Sequence, residues 1–196
     1  MDRIPGRFLE INRKDRARRL SEGLDLRDAD DRVLDFEAVQ LPMTPEEAMI
    51  EAARCIHCPD PAPCMVACPV HNDIPTAMWL IEQGEFLQAA ELYRQTSSMP
   101  SVCGRVCPHE ELCQASCVHV KQHDSVLTGA LEAFVADYQR ATEGVKIPVG
   151  EPTGKKVAVI GAGPAGMAVA EQLVQKGHKI TIFEGQQAPG GLLLYG

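Results

Sequence analysis

Eight cysteines lie between residues 55 and 117, and their thiolates are the side chains of this chain best suited to bind a metal centre. They form two groups, CIHCPDPAPCMVAC and CGRVCPHEELCQASC, which contain Cys55, Cys58, Cys64, Cys68, Cys103, Cys107, Cys113 and Cys117. Structural zinc sites favour pairs of cysteines separated by two residues, and only Cys55 and Cys58 have that spacing. The other gaps, and the prolines after Cys58, Cys68 and Cys107, favour iron–sulfur clusters.

Disulfide bonds and zinc are the alternatives for so many neighbouring cysteines. Residues 1–30 are highly charged and hold no apolar segment of the length that a secretion signal needs. We therefore expect a cytoplasmic protein, in which thiols stay reduced and disulfides are rare. A zinc-stabilised interaction module with a vestigial dinucleotide fold is the alternative that the cysteines leave open.

The charge and apolar pattern exclude other classes of partner. A net charge of −8 argues against nucleic acid or an anionic membrane, and the basic run RKDRARR is soon followed by acidic residues. We interpret that run as a solvated arm of mixed charge. The longest apolar run, VAVIGAGPAGMAVA, has 14 residues, which is too short to span a membrane.

A second chemical motif, VIGAGPAG, follows an apolar run that predicts a buried strand. Gly161 permits a tight turn, Gly163 lets the backbone approach a pyrophosphate, and Gly166 lets the following helix pack closely on the strand. The N-terminus of that helix offers free N–H groups to the anion. Glu184 ends the next predicted strand, where its carboxylate can accept hydrogen bonds from the ribose hydroxyls of an adenosine.

An acid at this position would repel a 2′-phosphate, so the motif predicts FAD or NAD rather than NADP. The Gly-Gly pair in PGGLLLYG favours FAD, since it lets the chain lie against the flavin side of a dinucleotide. The predicted cofactor-binding residues are Gly161, Ala162, Gly163, Pro164, Ala165, Gly166, Glu184, Gly190, Gly191 and Leu192.

The elements that must position these residues divide the chain into an arm (1–43), a helical domain (44–143), a linker (144–155) and a βαβ unit (156–196). Thr44 and Pro45 predict the start of one helix, and two short helices should be separated near Gly84. Another helix is predicted over VLTGALEAFVADYQRA. An apolar stripe that we interpret as core contains Met78, Ile81, Phe86, Ala90 and Tyr93. The fold class is a mainly α iron–sulfur domain followed by the beginning of a Rossmann-like α/β domain.

Several motifs together resemble a known family. The segments CPVHNDIP, CGRVCP, GALEAFVADY, GKKVAVIGAGPAG and GGLLLYG resemble the small (beta) subunit of NADPH-dependent glutamate synthase. They are also similar to the N-terminal part of dihydropyrimidine dehydrogenase and to the large subunit of electron-bifurcating ferredoxin–NADP transhydrogenases. The resemblance covers about residues 44–196, and the first forty residues match only loosely.

The resemblance implies two 4Fe–4S clusters whose ligands cross between the two cysteine groups. One cluster would be held by Cys55, Cys58, Cys64 and Cys117, and the other by Cys68, Cys107, Cys113 and Glu132. Cys103 would then be a buried thiol that binds no iron. Because an oxygen ligand is unusual for such clusters, Cys103 in place of Glu132 is the alternative.

The resemblance also implies an FAD domain and an inserted NADPH domain. The expected function is to pass electrons from NADPH through FAD and both clusters to a partner, such as the large subunit of glutamate synthase. The alternative is an electron-transfer adaptor of a hydrogenase, formate dehydrogenase or transhydrogenase complex. No residue has the features of an acid–base catalyst. Since two strands cannot make a stable doubly wound sheet, we expect this chain to be an inactive fragment of a longer enzyme, with NADPH bound downstream.

Overall fold

The computed structural model describes residues 11–196, so the first ten residues of the predicted arm lie outside the described part. The chain divides into two compact units, of which the first ends at Glu143 and the second begins at Gly144.

The described part of the first unit is helical. Its elements are α1 (Arg13–Arg16), α2 (Ala29–Arg32), α3 (Pro45–Ala52), α4 (Pro63–Ala67), α5 (Ile74–Glu82), α6 (Phe86–Arg94), α7 (Pro100–Val106), a 3-10 helix (Val118–Lys121) and α8 (Thr128–Thr142). The predicted start of α3 is confirmed, because Thr44 and Glu47 form a reciprocal capping box and Pro45 takes the first helical position. The predicted break between α5 and α6 is also confirmed at Gly84, whose φ of +76° suits glycine.

The core of this unit lies where α3, α5, α6 and α8 meet. Small residues such as Ala48, Ala52 and Ala77 are completely buried there and allow the helices to approach closely. Larger buried side chains, including Ile81 and Leu131, fill the space between them. This packing fixes the ends of the helices, and the cysteines lie at or just beyond several of those ends.

The second unit is the predicted βαβ arrangement. Strand β1 (Lys156–Ile160) pairs in parallel with β2 (Lys179–Phe183), and α9 (Pro164–Gln175) connects them. The register aligns Lys156 with Lys179 and Ile160 with Phe183. A short helix, α10 (Leu192–Tyr195), follows. The predicted fold class, a helical domain and then the start of a Rossmann-like domain, is confirmed.

Candidate cluster and dinucleotide sites

Four of the cysteines surround one apolar cavity in the first unit. Cys55 follows α3, Cys58 lies in the next loop, Cys64 is in α4, and Cys117 immediately precedes the 3-10 helix. All four line the cavity, together with apolar residues that include Ile74, Met78 and Val126. The fold therefore brings Cys117, from the second sequence group, to three cysteines of the first.

The surroundings of Cys55, Cys58 and Cys64 keep these three thiols neutral. Burial, with smaller contributions from the nearby Cys117 and Cys58, raises the pKa of Cys55 to about 12. Burial also raises the pKa of Cys64, again with contributions from Cys55 and Cys117. Adjacent buried thiolates repel one another, so ionising this set requires a positive centre that all of its sulfurs can share.

A second group of ligand-type side chains lies elsewhere in the same unit. Cys68 and Cys113 are buried, and burial raises the pKa of Cys107 to about 11, with further contributions from Cys103, Glu132 and Cys113. Burial likewise raises the pKa of Cys113, and the Cys68 thiol contributes to the increase. Cys68 immediately follows α4, Cys107 immediately follows α7, and Cys113 lies between α7 and the 3-10 helix.

Cys103 lies one helical turn before Cys107, and α7 packs closely on α8, which carries Glu132. A Cβ atom on Gly104 would lie 2.5 Å from the backbone nitrogen of Ala133, so only glycine permits this approach. Glu132 is buried, and burial raises its pKa to about 8 even though its hydrogen bond with Asn72 lowers it. Its Oε1 atom has no hydrogen-bond partner among the described residues. The Sγ atom of Cys103 lies 3.7 Å from Ser97 Oγ.

Both groups have a donor set that fits an iron–sulfur cluster. Within residues 11–196, no three His, Cys, Asp or Glu side chains converge on the position of a single metal ion. A 4Fe–4S cluster has no need of such convergence, because each ligand binds a different iron atom around the cube. The four thiols around the apolar cavity, and the buried Oε1 of Glu132 without a partner among the described residues, are donors of the kind that such a cluster needs.

The glycine motif of the second unit forms a turn and a close helix–strand contact. Gly161 has a φ of +94°, and a Cβ atom on Gly166 would lie 2.0 Å from the carbonyl oxygen of Gly161. Gly163 precedes α9, and the first residue of that helix, Pro164, needs no N–H partner. A Cβ atom on Gly163 would meet nothing closer than 3.8 Å, so packing within this unit would allow a larger residue at this position.

Glu184 and the Gly-Gly pair lie against this turn. The Oε2 atom of Glu184 accepts the Ala162 N–H at 2.8 Å, and Oε1 accepts the Gln186 N–H at the same distance. These two N–H groups lower the pKa of Glu184, so its carboxylate is ionised at neutral pH. The Gly190 N–H donates to the Ala162 carbonyl at 2.9 Å, and a Cβ atom on Gly191 would lie 2.8 Å from Gly163 Cα.

The remaining predicted residues of the dinucleotide site lie around the same turn. Ala162 is buried, whereas Ala165 is exposed in the first turn of α9. Leu192 begins α10, and its side chain is exposed. The structure thus brings together all of the residues predicted for this site.

Sequence analysis did not identify the arginines that anchor the first cysteine loop. The interpretation of RKDRARR as a solvated arm is wrong for Arg16, whose side chain is only 12% exposed. Its guanidinium pairs with both oxygens of Glu82, at 2.6 and 2.8 Å, and also donates to the Ala53 and Cys55 carbonyls. Arg13 donates to the Ile56 and His57 carbonyls. Because acidic residues follow this basic run closely, the sequence indicated a solvated segment and did not predict these contacts.

A family of cluster-binding domains matches residues 32–144, which is more than half of the chain. Its description is dihydropyrimidine dehydrogenase domain II, 4Fe-4S cluster. The chain belongs to this family. Residues 159–194 match a second family, whose description is NAD(P)-binding Rossmann-like domain.

Individual relatives agree with this assignment to the dihydropyrimidine dehydrogenase domain II family. The chain is 38% identical over 191 residues to the glutamate synthase [NADPH] small chain of Halomonas elongata, which covers 96% of this chain and 38% of the relative. It is 40% identical over 171 residues to the Escherichia coli K12 glutamate synthase [NADPH] small chain, covering 84% of this chain and 35% of the relative.

Another relative carries a different name. Identity to the NAD-dependent dihydropyrimidine dehydrogenase subunit PreT of Escherichia coli O157:H7 is 40% over 153 residues, which is 78% of this chain and 37% of the relative. The chain thus spans between 35% and 38% of the length of these three relatives. The resemblance that its motifs predicted is confirmed. Within the described residues, no helix combines the length and apolar character needed to cross a bilayer.

Proposed function

We propose that this chain is the electron-transfer region of an NAD(P)H-dependent oxidoreductase subunit of the glutamate synthase small-chain type. In that enzyme, electrons would pass from NADPH through FAD and two 4Fe–4S clusters to a partner subunit. The observation that carries the proposal is the cavity that Cys117 shares with Cys55, Cys58 and Cys64. A cavity lined by thiols from both sequence groups is what interleaved cluster ligands require.

The first cluster is proposed to bind Cys55, Cys58, Cys64 and Cys117. The apolar lining of the cavity keeps the Cys55, Cys58 and Cys64 thiols neutral until a positive centre is present. Arg16 restrains the loop that carries Cys55 through its bond to that residue's carbonyl. These contacts hold the ligands in position before the cluster binds.

The second cluster is proposed to bind Cys68, Cys107, Cys113 and Glu132. Two observations favour Glu132 over Cys103 as the fourth ligand. Its carboxylate is buried, and its Oε1 atom has no partner within residues 11–196, which is costly unless another group binds there. Cys103, by contrast, has Ser97 as a neighbour.

The second unit is proposed to hold the adenosine and pyrophosphate of FAD. The backbone at Gly163 and the N-terminus of α9 would face the pyrophosphate, while the Glu184 carboxylate would accept ribose hydroxyl protons. A flavin exchanges electrons in pairs with a nicotinamide and singly with clusters, which is the chemistry that joins the two units in one enzyme. NADPH is proposed to bind in a part of the enzyme beyond this chain.

A subunit of another redox complex is the second candidate. The identity to the PreT subunit equals that to the Escherichia coli glutamate synthase small chain, so the final acceptor could differ. An adaptor would receive electrons from another subunit instead of binding a nicotinamide itself.

Anaerobic addition of NADPH to the purified full-length enzyme, without any partner, tests the proposal. We expect the flavin absorption to bleach and a paramagnetic signal from reduced clusters to follow. Bleaching only after addition of a separate reductase subunit would favour the adaptor. Cluster signals without any bound flavin would contradict the proposed FAD site.

A further inference from the structure

The Thr128 hydroxyl makes a buried contact with a sulfur atom of the second proposed ligand set. Its Oγ1 atom lies 3.1 Å from Cys113 Sγ, which is within hydrogen-bond distance. Both residues are buried, with Thr128 at the start of α8 and Cys113 between α7 and the 3-10 helix. A buried hydroxyl group needs a hydrogen-bond partner, and the sulfur of Cys113 provides one.

The start of α8 is anchored to a buried ion pair, which fixes the position of Thr128. The Leu127 N–H donates to Glu51 Oε1 at 2.9 Å. The Arg54 guanidinium, which pairs with Glu51, donates to the Ser125 carbonyl at 2.9 Å. Because both contacts fall within three residues of Thr128, its backbone is positioned by groups other than the cysteines.

The segment that carries Cys113 is anchored to the same end of α8. A Cβ atom on Gly129 would lie 2.3 Å from His109 Cε1, so the imidazole ring of His109 packs directly on the first turn of the helix. The His109 carbonyl accepts the N–H of Gln114, the residue after Cys113, at 2.9 Å. The hydrogen bond between Thr128 and Cys113 therefore joins two segments that are each held in place by other contacts.

Thr128 also borders the first proposed cluster site. It lines the apolar cavity that the first ligand set surrounds, namely Cys55, Cys58, Cys64 and Cys117. One side chain thus contacts the second ligand set through its hydroxyl and contributes to the lining of the first site. Valine has nearly the same shape as threonine, so it would keep this lining while removing the hydroxyl.

We propose that Thr128 is a positioning residue of the second cluster, whose hydroxyl donates a hydrogen bond to the Cys113 sulfur that binds iron. This inference rests on the proposed function, since it requires Cys113 to be a ligand. A sulfur that binds iron carries no proton, so Thr128 is the donor in that state. Hydrogen bonds to the sulfurs of a cluster stabilise its reduced, more negative form and so raise its reduction potential.

The test is Thr128→Val in the purified full-length enzyme, with both cluster potentials measured by redox titration under paramagnetic resonance. We expect the second cluster to become harder to reduce, by about threefold to tenfold in its reduction equilibrium constant, the effect of one hydrogen bond. For a one-electron couple this is a fall of about 30–60 mV in potential. The first cluster, whose signal Cys117→Ser removes, should change much less. Thr128→Ser retains the hydroxyl and should stay close to the parent potential.

Ser97→Ala is the matched control. Ser97 is buried, and its Oγ atom lies 3.7 Å from the sulfur of Cys103, a cysteine outside both proposed ligand sets. This change removes a contact between a hydroxyl and a sulfur that is proposed to bind no iron, so neither potential should move. If Thr128→Val moves the potentials no more than Ser97→Ala does, the inference is overturned. A shift in Ser97→Ala alone would, in addition, indicate Cys103 as the fourth ligand.

Loss of a cluster in Thr128→Val is resolved by Thr128→Ser. Loss of the second cluster from the valine variant alone supports the inference, because only the hydroxyl distinguishes its effect. Loss of that cluster from both variants, or loss of both clusters from Thr128→Val, means that Thr128 supports the fold and overturns the inference. A parent enzyme without any iron–sulfur signal contradicts the proposed function itself, whereas an unshifted potential contradicts only the role of Thr128.

Discussion

Cys117 shows most clearly that cysteines close together in the structure can come from different groups in the sequence. It lies in the second cysteine group of the sequence but lines the cavity with Cys55, Cys58 and Cys64. We expect Cys117→Ser to lose one cluster, because a serine oxygen is a poorer ligand for iron than a thiolate. Iron analysis should then show about half of the parent iron per chain.

Cys103→Ser is the matched control, because Cys103 is a partly buried cysteine of the same sequence group. It should keep both clusters, while Glu132→Ala should lose one. Paramagnetic resonance of the reduced proteins identifies which cluster is missing. If Cys103→Ser removes a cluster and Glu132→Ala leaves both, the all-cysteine alternative is correct.

Two glycines of the VIGAGPAG turn, Gly163 and Gly166, have different roles that substitution can separate. Gly166→Ala would place a Cβ atom 2.0 Å from the Gly161 carbonyl oxygen, whereas Gly163→Ala would meet its nearest atom at 3.8 Å. Hydrogen–deuterium exchange should therefore show faster exchange in residues 156–183 for Gly166→Ala alone. Gly163→Ala should keep the protection but weaken flavin binding, since its methyl group would face the pyrophosphate of the FAD that we propose binds here. Equal protection in the two variants would contradict this division of roles.

Helix α1 contributes as an element by fixing the loop after α3. Arg16 joins this helix to Glu82 at the end of α5 and to the Cys55 carbonyl. Desolvation raises the pKa of Glu82, but the neighbouring His57 and Arg16 side chains outweigh it and bring the pKa to about 2. The stabilisation by this pair is therefore complete above about pH 4.5 and is lost as the pH falls towards 2.

Glu82→Gln should remove this acid-sensitive component. We expect it to lower the free energy of unfolding by about 2 kcal/mol at pH 7, less than the pKa shift alone implies because the pair is partly exposed to solvent. The difference from the parent protein should shrink as the pH falls below 4.5. Urea denaturation across this range measures it. Arg19→Gln, which breaks the exposed pair with Asp15, is the control and should change stability by less than about 0.5 kcal/mol.

A buried ion pair connects α3 to the segment before α8. The Arg54 side chain is 1% exposed, bonds Glu51 at 2.5 Å, and donates to the Asp124 and Ser125 carbonyls. Arg54→Met should lower the free energy of unfolding by about 3–5 kcal/mol, because it leaves the buried Glu51 carboxylate without a positively charged partner. Adding Glu51→Gln should recover part of that loss in urea denaturation. An Arg54→Met variant as stable as the parent would contradict this role.

The elements were largely predictable from the sequence, because local signals specify them. Thr44, Pro45 and Gly84 mark helix boundaries, and the VIGAGPAG turn follows its strand directly. The short helices α4 and α7 are five and seven residues long, and such lengths show little periodicity.

The sites were less predictable, because their contacts join residues far apart in the sequence. Helical spacing predicts Tyr93 as a core residue, but the hydrogen bond between Thr128 and Cys113 depends on packing that no local pattern describes. The same is true of Arg16, whose partner Glu82 lies 66 residues away. The cysteine spacing indicated clusters, whereas the crossing of ligands between groups came from the resemblance to a family.

At the scale of the whole molecule, we propose that the first unit holds two iron–sulfur clusters. The measurement that tests it most directly is the content of iron, acid-labile sulfide and zinc in the anaerobically purified protein. We predict about eight iron and eight sulfide per chain, with broad absorption near about 400 nm. Stoichiometric zinc without iron or sulfide would contradict the account.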